Sequence, residues 1–190
     1  HKQMTGEGCK VETSLAEAMV DIEFENFGAF LNDGEKLTPR SRVNGANPCH
    51  SAPYGIYETQ DGYLALAMTP VPELGKLLGC EAITHYTKKS DWFDLRDEIK
   101  LALREHLKTQ TTAYWLSILE AADIWCAQVY DWGQLLETEG FQVLDMLQTI
   151  DQGNGLRFET TRCPIRIDGK RLKNDRPAPG VGEQNQKYHI

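Results

Sequence analysis

Cys49 and His50 stand side by side near the start of a loop-like stretch, and a thiol next to an imidazole can form a cysteine nucleophile with its base. Adjacent side chains rarely face each other, and no third group that would orient the imidazole can be identified, so the pair also reads as an ordinary surface loop. Glu17, Glu23 and Glu25 could include a general acid and a general base. The competing reading makes Glu17 a helix cap and leaves the other two facing a cleft or a partner chain. Trp115, Trp125 and Trp132 have the spacing of core or groove residues, with nucleotide stacking as the alternative. His85 and His106 read as surface or helix-edge groups rather than ligands. The five cysteines, Cys9, Cys49, Cys80, Cys126 and Cys163, are far apart and odd in number. With no CxxC and no Cys/His cluster, neither a metal site nor a disulfide framework is expected. They read as mostly buried thiols in a reducing cytoplasm.

The 190 residues are 41% hydrophobic and carry a net charge of −8. That is enough apolar material for a folded core, and the acidic balance argues against a nucleic-acid partner, which needs clustered Lys and Arg. The short run Lys170-Arg171-Leu172-Lys173 reads as a solvated turn. No apolar run reaches the length of a membrane span. No charged region followed by an apolar one marks a secretory signal, and with His1 first and Met4 after it the first residue need not be a natural start.

The elements that must position these groups follow from spacing. A turn at Thr5-Gly6-Glu7-Gly8 precedes a short predicted strand, Lys10–Thr13. Ser14 and Glu17 form a capping box for one helix from Leu15 to Leu31, roughly 25 Å long at about 1.5 Å per residue. Its apolar residues cover most of the circumference, so it needs cover on several sides. Residues 32–53 hold no sustained period and read as a linker or functional loop. Tyr54–Thr59 and Tyr63–Met68 flank Gln60-Asp61-Gly62, a hairpin signal. Helices are expected from Pro72 to Leu78, stopping at Gly79, from about Asp91 to Lys108, and from a cap at Thr111 or Thr112 to about Ala122. In the second of these Leu95, Ile99, Ala102, Leu103 and Leu107 face inward, and Asp97, Lys100, Arg104, Glu105 and Lys108 form a charged solvated face. In the third, Trp115, Leu116, Ile118 and Leu119 point inward. Cys126–Val129 can be a strand, and Asp131 with Gln134 another capping box. Strands follow at Leu144–Ile150 and Leu156–Thr160 around a turn at Asp151–Gly155, and Pro164–Ile167 runs into a turn at Asp168-Gly169. Residues from Leu172 onward would not order alone. The fold class is α+β: a small antiparallel sheet with helices, flanked by two arms that look unfinished.

Four segments, in order, resemble the family III CoA-transferases (CaiB/BaiF type), the group that includes carnitine, formyl-CoA and bile-acid CoA-transferases and the α-methylacyl-CoA racemases. Thr5-Gly6-Glu7-Gly8-Cys9-Lys10-Val11-Glu12-Thr13-Ser14-Leu15-Ala16-Glu17-Ala18 is similar to TGxGQxVxxSLxEA, with Cys9 in place of the usual Gln. Ala52-Pro53-Tyr54-Gly55-Ile56-Tyr57-Glu58-Thr59-Gln60-Asp61-Gly62-Tyr63 is similar to PYGxYxTxDGY. Thr112–Ile124 and Cys163–Gly169 supply the other two, the last followed by Arg176-Pro177-Ala178-Pro179-Gly180-Val181-Gly182-Glu183. Gln184 and Asn185 then stand where His-Thr is common.

The resemblance implies a small domain at 54–168, a strand–helix arm of an incomplete Rossmann-like large domain at 1–31, a linker with an active-site-type loop at 32–53 and a return segment at 169–190. Two chains would interlock as a homodimer through residues 1–31 and 170–190. It implies a coenzyme A thioester as substrate, no resident cofactor and no metal. The nucleophilic aspartate would lie upstream of this chain, so no catalytic residue is assigned within it. Asn44–Ser51 takes the place of the family's active-site loop, which puts Asn47, Cys49, His50 and Tyr54 at the substrate pocket. The Lys170–Lys173 run gains a second reading as a clamp for CoA phosphate. Three functions stay open: part of an acyl-CoA:carboxylate CoA-transferase, a non-catalytic truncated domain that self-associates or binds a partner, and the acyl-CoA racemase branch.

Overall fold

The computed structural model describes residues 2–45, 47–153 and 155–188, in two units, His1–Val129 and Tyr130–Ile190. In the first unit α1 (Lys2–Thr5) leads into extended chain. The strand expected at Lys10–Thr13 does not form. Val11 is exposed, and an extended segment becomes a strand only by pairing with another. The capping box at Ser14 is present: its hydroxyl accepts from the Glu17 N–H at 3.2 Å and its own N–H donates to the Glu17 carboxylate at 2.8 Å. The single helix expected there is two, α2 (Leu15–Ile22) and α3 (Phe24–Asn32), with a turn at Glu23. Val20, Ile22 and Phe24 around the break are β-branched or aromatic and lose side-chain freedom against a preceding helical turn.

β1 (Gly55–Glu58) and β2 (Tyr63–Leu66) form the expected hairpin, with Glu58 opposite Tyr63. Asp61 in its loop accepts from the Thr112 N–H at 2.7 Å and the Thr112 hydroxyl at 3.0 Å. These bonds, the backbone one first, hold the Asp61 carboxyl below the usual carboxylate range. α4 (Val71–Leu78) stops where Gly79 takes φ +70°, a conformation that costs glycine nothing. The helix expected over Asp91–Lys108 breaks at Leu95 into α5 (Asp91–Asp94) and α6 (Arg96–Leu107). α7 (Thr112–Ala121) is capped by the Thr111 hydroxyl, and β3 (Cys126–Gln128) adds to β2, giving an antiparallel sheet in the order β1-β2-β3.

One face of this sheet supplies Tyr57, Leu64 and Leu66 to the core, where they meet Leu74 of α4, Ile99, Leu103 and Leu107 of α6, and Trp115 and Leu119 of α7. The polar tips of its two large aromatic residues are satisfied: Tyr57 donates to the Pro53 carbonyl at 2.6 Å and the Trp115 indole to the Leu107 carbonyl at 2.8 Å. Trp125 and Trp132 do not join it; they are 80% and 84% exposed.

In the second unit Asp131 and Gln134 form the expected capping box of α8 (Trp132–Glu137). α9 (Glu139–Leu144) is a helix where a strand was expected to begin at Leu144. β4 (Leu147–Asp151) pairs with β5 (Arg157–Thr161), and β6 (Arg166–Ile167) with β7 (Lys170–Arg171) across Asp168-Gly169; Asn154 in the first turn lies outside the described residues. Buried Arg162 donates to the carbonyls of Leu144, Asp145 and Cys163, placing a cation on the free carbonyls at the end of α9. α10 (Asn185–Tyr188) closes the described chain. The fold is α+β, helices with small antiparallel sheets, as the sequence predicts. No helix of the described residues is long and apolar enough to cross a membrane.

Lys100 corrects the charged face drawn for α6. It is 0% exposed, and its ammonium has no hydrogen-bond partner. Burial, with Arg96 nearby, holds its pKa below the ordinary lysine value of 10.5. A folded-state pKa below the unfolded one means that the buried charge opposes folding fully at low pH and is relieved as pH rises toward the unfolded value. Lys100→Met is therefore expected to stabilise the chain at neutral pH by about 1–3 kcal/mol, the cost of an unpaired buried polar group. The gain should shrink toward alkaline pH. Urea denaturation of both forms from neutral to alkaline pH checks this, and a destabilised variant would show that the ammonium has a partner after all.

Candidate functional site

The loop predicted to carry the site enters along α6. Arg96 donates to the Pro39 carbonyl, and the Asp97 carboxylate accepts from the Ser41 hydroxyl at 2.7 Å and the Arg42 N–H at 3.0 Å. The Ser41 bond, then the backbone one, keeps the Asp97 carboxyl below its usual range. Further on, the Asn44 side chain donates to the Ile56 carbonyl at 2.6 Å. Its own carbonyl packs so close to Gly55 that no Cβ could fit there, which is why β1 begins on glycine. The Ala52 N–H donates to the Trp92 carbonyl at 2.8 Å and closes the far end of the loop.

Between these anchors lie Asn47, Cys49 and His50, three of the predicted pocket residues, and Tyr54 follows just beyond; Ala46 is outside the described residues. Asn47 accepts from the Cys49 N–H at 2.8 Å through its side-chain oxygen. The Cys49 sulfur lies 3.8 Å from the Asn26 side-chain oxygen on α3, which ties the loop to the N-terminal helices. The His50 ring stacks on Tyr54 at 4.5 Å between centroids, and its Nδ1 is buried with no hydrogen-bond partner. Cys49 therefore has its recorded contacts with Asn47 and Asn26, and His50 with Tyr54, and no nucleophile–base pair is formed between them.

Tyr54 also lines a groove of about 380 Å³ on the sheet face that the core leaves uncovered, together with Ile56, Ala65, Ala127 and Trp125. Sequence reasoning missed this groove, although the alternation of Ile56, Tyr63 and Ala65 against buried Tyr57 and Leu64 was a signal for a second, outward face. The other candidate groups are engaged elsewhere. Glu17 is the cap of α2. His106 bonds the Leu78 carbonyl at 2.8 Å and lies against Trp115. Arg171 and Lys173 are turned toward the end of α9, on the Val143 carbonyl at 2.6 Å and the Asp145 carboxylate at 3.1 Å. Among the described residues no cluster of His, Cys, Asp and Glu could hold a metal ion.

Residues 1–185 match CoA-transferase family III. The chain belongs to that family. It is similar in structure to Rv3272 of Mycobacterium tuberculosis, at TM-score 0.66 and 19% identity, over 99% of this chain and 49% of that one. It is equally similar to a CAIB/BAIF family protein of Brucella suis, at TM-score 0.65 and 20% identity over the same shares. The family III chain thus spans about half the length of these solved structures. No curated protein sequence matches it.

His50→Phe separates a structural from a functional role for this imidazole. Phenylalanine keeps the stack on Tyr54 and removes a buried nitrogen that lacks a partner, so the unfolding midpoint should hold or rise. A fall in midpoint, read by thermal denaturation, would show that the ring nitrogen stabilises the loop.

Proposed function

We propose that the chain is part of an acyl-CoA:carboxylate CoA-transferase that moves coenzyme A between acids through an acyl-aspartyl intermediate. The observation that carries this reading is the family III match over residues 1–185, nearly the whole chain. An aspartate carboxylate attacks the thioester carbonyl and the carbon–sulfur bond breaks, giving an acyl-aspartyl anhydride and the CoA thiolate. The thiolate attacks the aspartyl carbonyl, which releases the first acid and leaves an aspartyl-CoA thioester. The carboxylate of the second acid displaces the thiolate to form a second anhydride, and the thiolate then attacks that acid's carbonyl and frees the aspartate. A carboxylate suits the task because the anhydride it forms is as activated as the thioester. The aspartate belongs to sequence outside these 190 residues, and residues 44–54 line the acyl end of the site with Asn47, Cys49, His50 and Tyr54. The free thiols of all five cysteines suit a reducing cytoplasm.

The chain alone should give no CoA transfer when offered a panel of acyl-CoA donors and acid acceptors. Extended to the full length of its solved relatives, it should turn over. Turnover by the 190 residues alone, above a buffer control, would sink the assignment of the nucleophile, and an inactive extended protein would sink the transferase reading.

A second reading, a self-associating module, has its own support. Leu15, Ile22, Phe24 and Phe27 on α2 and α3 are exposed, Phe24 by 72%, and leaving such side chains wet costs about 1.5–3 kcal/mol each. In both readings residues 1–31 and 170–190 engage a second copy. Light scattering over a concentration series should give a mass above the 21.5 kDa of one chain, and Phe27→Asp should return it to that mass with Tyr57 and its neighbours still folded. A monodisperse monomer at high concentration would refute the association.

A further inference from the structure

The transferase reading leaves the acid unnamed, and the open face of the three-stranded sheet bears on it. Ile56, Ala65 and Ala127 lie in one cross-strand row: Ala65 is opposite Ile56 on β1 and opposite Ala127 on β3. The row faces away from the core, since its neighbours Tyr57, Leu64 and Leu66 are buried on the other side. Ala65 and Ala67, successive outward residues of the β2 stretch, make a low floor, and Tyr54 and Trp125 flank Ala67 from the neighbouring strands. No residue lining this groove carries a charge. Beyond Trp125 a second depression of about 310 Å³ continues past Ala67 to Met68 and Ile124, with Thr69 and Asp123 as its polar lining. Apolar lining with a few polar tips, at a volume of this size, is the make-up of small-molecule sites.

We infer that this groove holds the unbranched aliphatic chain of the acyl group, and that the acid handled at this site is a medium-chain fatty acid or its CoA thioester. The inference rests on the transferase reading for the thioester and on the groove alone for the chain. A slot floored by alanine and flanked by two aromatic rings admits a slender chain along β2 and holds no cation to pair the second carboxylate of a dicarboxylate, which would be buried unpaired. Tyr54 joins the two halves of the site. One wall of the groove is its ring, and the same ring stacks on His50 at 4.5 Å, so the end of the chain at Tyr54 is the end next to the 44–54 loop. The indole of Trp125, exposed in the empty groove, becomes covered when the chain is seated.

The test uses the 190-residue chain and the tryptophan emission. Sodium octanoate should give a saturable blue shift, butyrate should bind at least tenfold more weakly, and acetate should give no response. The shift should be absent in Trp125→Phe, which assigns it to this indole among the four. Ala127→Phe and Ala65→Phe fill the groove from the solvent side and should each weaken octanoate at least tenfold. Circular dichroism checks that they fold, and the exposed position 127 serves if the change at 65 does not. Octan-1-ol tests the groove without a carboxylate, and octanoyl-CoA tests the thioester. Octanoate binding without octanoyl-CoA binding would uphold the groove and count against the transferase reading. Transfer of short polar acids by the extended protein, with no octanoate effect here, would overturn the groove and leave that reading standing. A response that is unsaturable, equal for all chain lengths or unchanged in both Phe variants would overturn the inference. So would a change in mass on Ala127→Phe, which would mark the face as a contact between copies.

Discussion

A three-stranded sheet has two faces, and the helices of the first unit can cover only one of them. Tyr57, Leu64 and Leu66 commit that face to α4, α6 and α7, and the Asp61 carboxylate fastens the hairpin loop to the start of α7. Once this packing is fixed, the pleat sends every second residue outward. Ile56, Ala65 and Ala127 are outward because Tyr57 and Leu64 are inward. The proposed acyl groove is thus a by-product of the core.

The same packing places the loop. α6 lies against β1, and its first turn presents Arg96 and Asp97 to Pro39, Ser41 and Arg42. The far end of the loop is held by Trp92 and by Tyr57, whose hydroxyl bonds the Pro53 carbonyl from within the core. A long segment without regular structure therefore has a defined path through Cys49, His50 and Tyr54. Lys100 is the cost of this arrangement on α6: its ammonium is enclosed without a partner, one turn from the Arg96 and Asp97 that hold the loop.

Local chemistry was legible in the sequence, and most of the tertiary choices were not. Ser14 with Glu17, Asp131 with Gln134, Thr111 and Gly79 each announce a helix end through a bond or a φ value that only a few residue types supply, and each is where it was expected. The burial of Lys100 had a positional signal, since Arg96, Ile99, Leu103 and Leu107 are buried along the same stripe. Its charge led the reading to the opposite face. The break at Glu23 and the failed strand at Lys10–Thr13 depend on neighbours that a one-dimensional pattern does not contain. Trp125 and Trp132 were read as core or groove by residue type; Trp125 does line a groove, on the uncovered side. The family was legible through ordered motifs, whereas the outward row of Ile56, Ala65 and Ala127 came from strand register, which no motif encodes.

We propose that the sheet and its three covering helices fold by themselves, while α2 and α3 need cover from outside them, from a second copy of this chain or from the remainder of a longer family III subunit. Hydrogen exchange of the 190-residue chain, compared with a protein extended to the length of its solved relatives, tests it most directly. At concentrations low enough to separate the copies, the account predicts equal, strong protection of 57–66 and 99–119 in both, and weak protection of 15–32 that becomes strong in the longer protein. Strong and equal protection of 15–32 in both would contradict it.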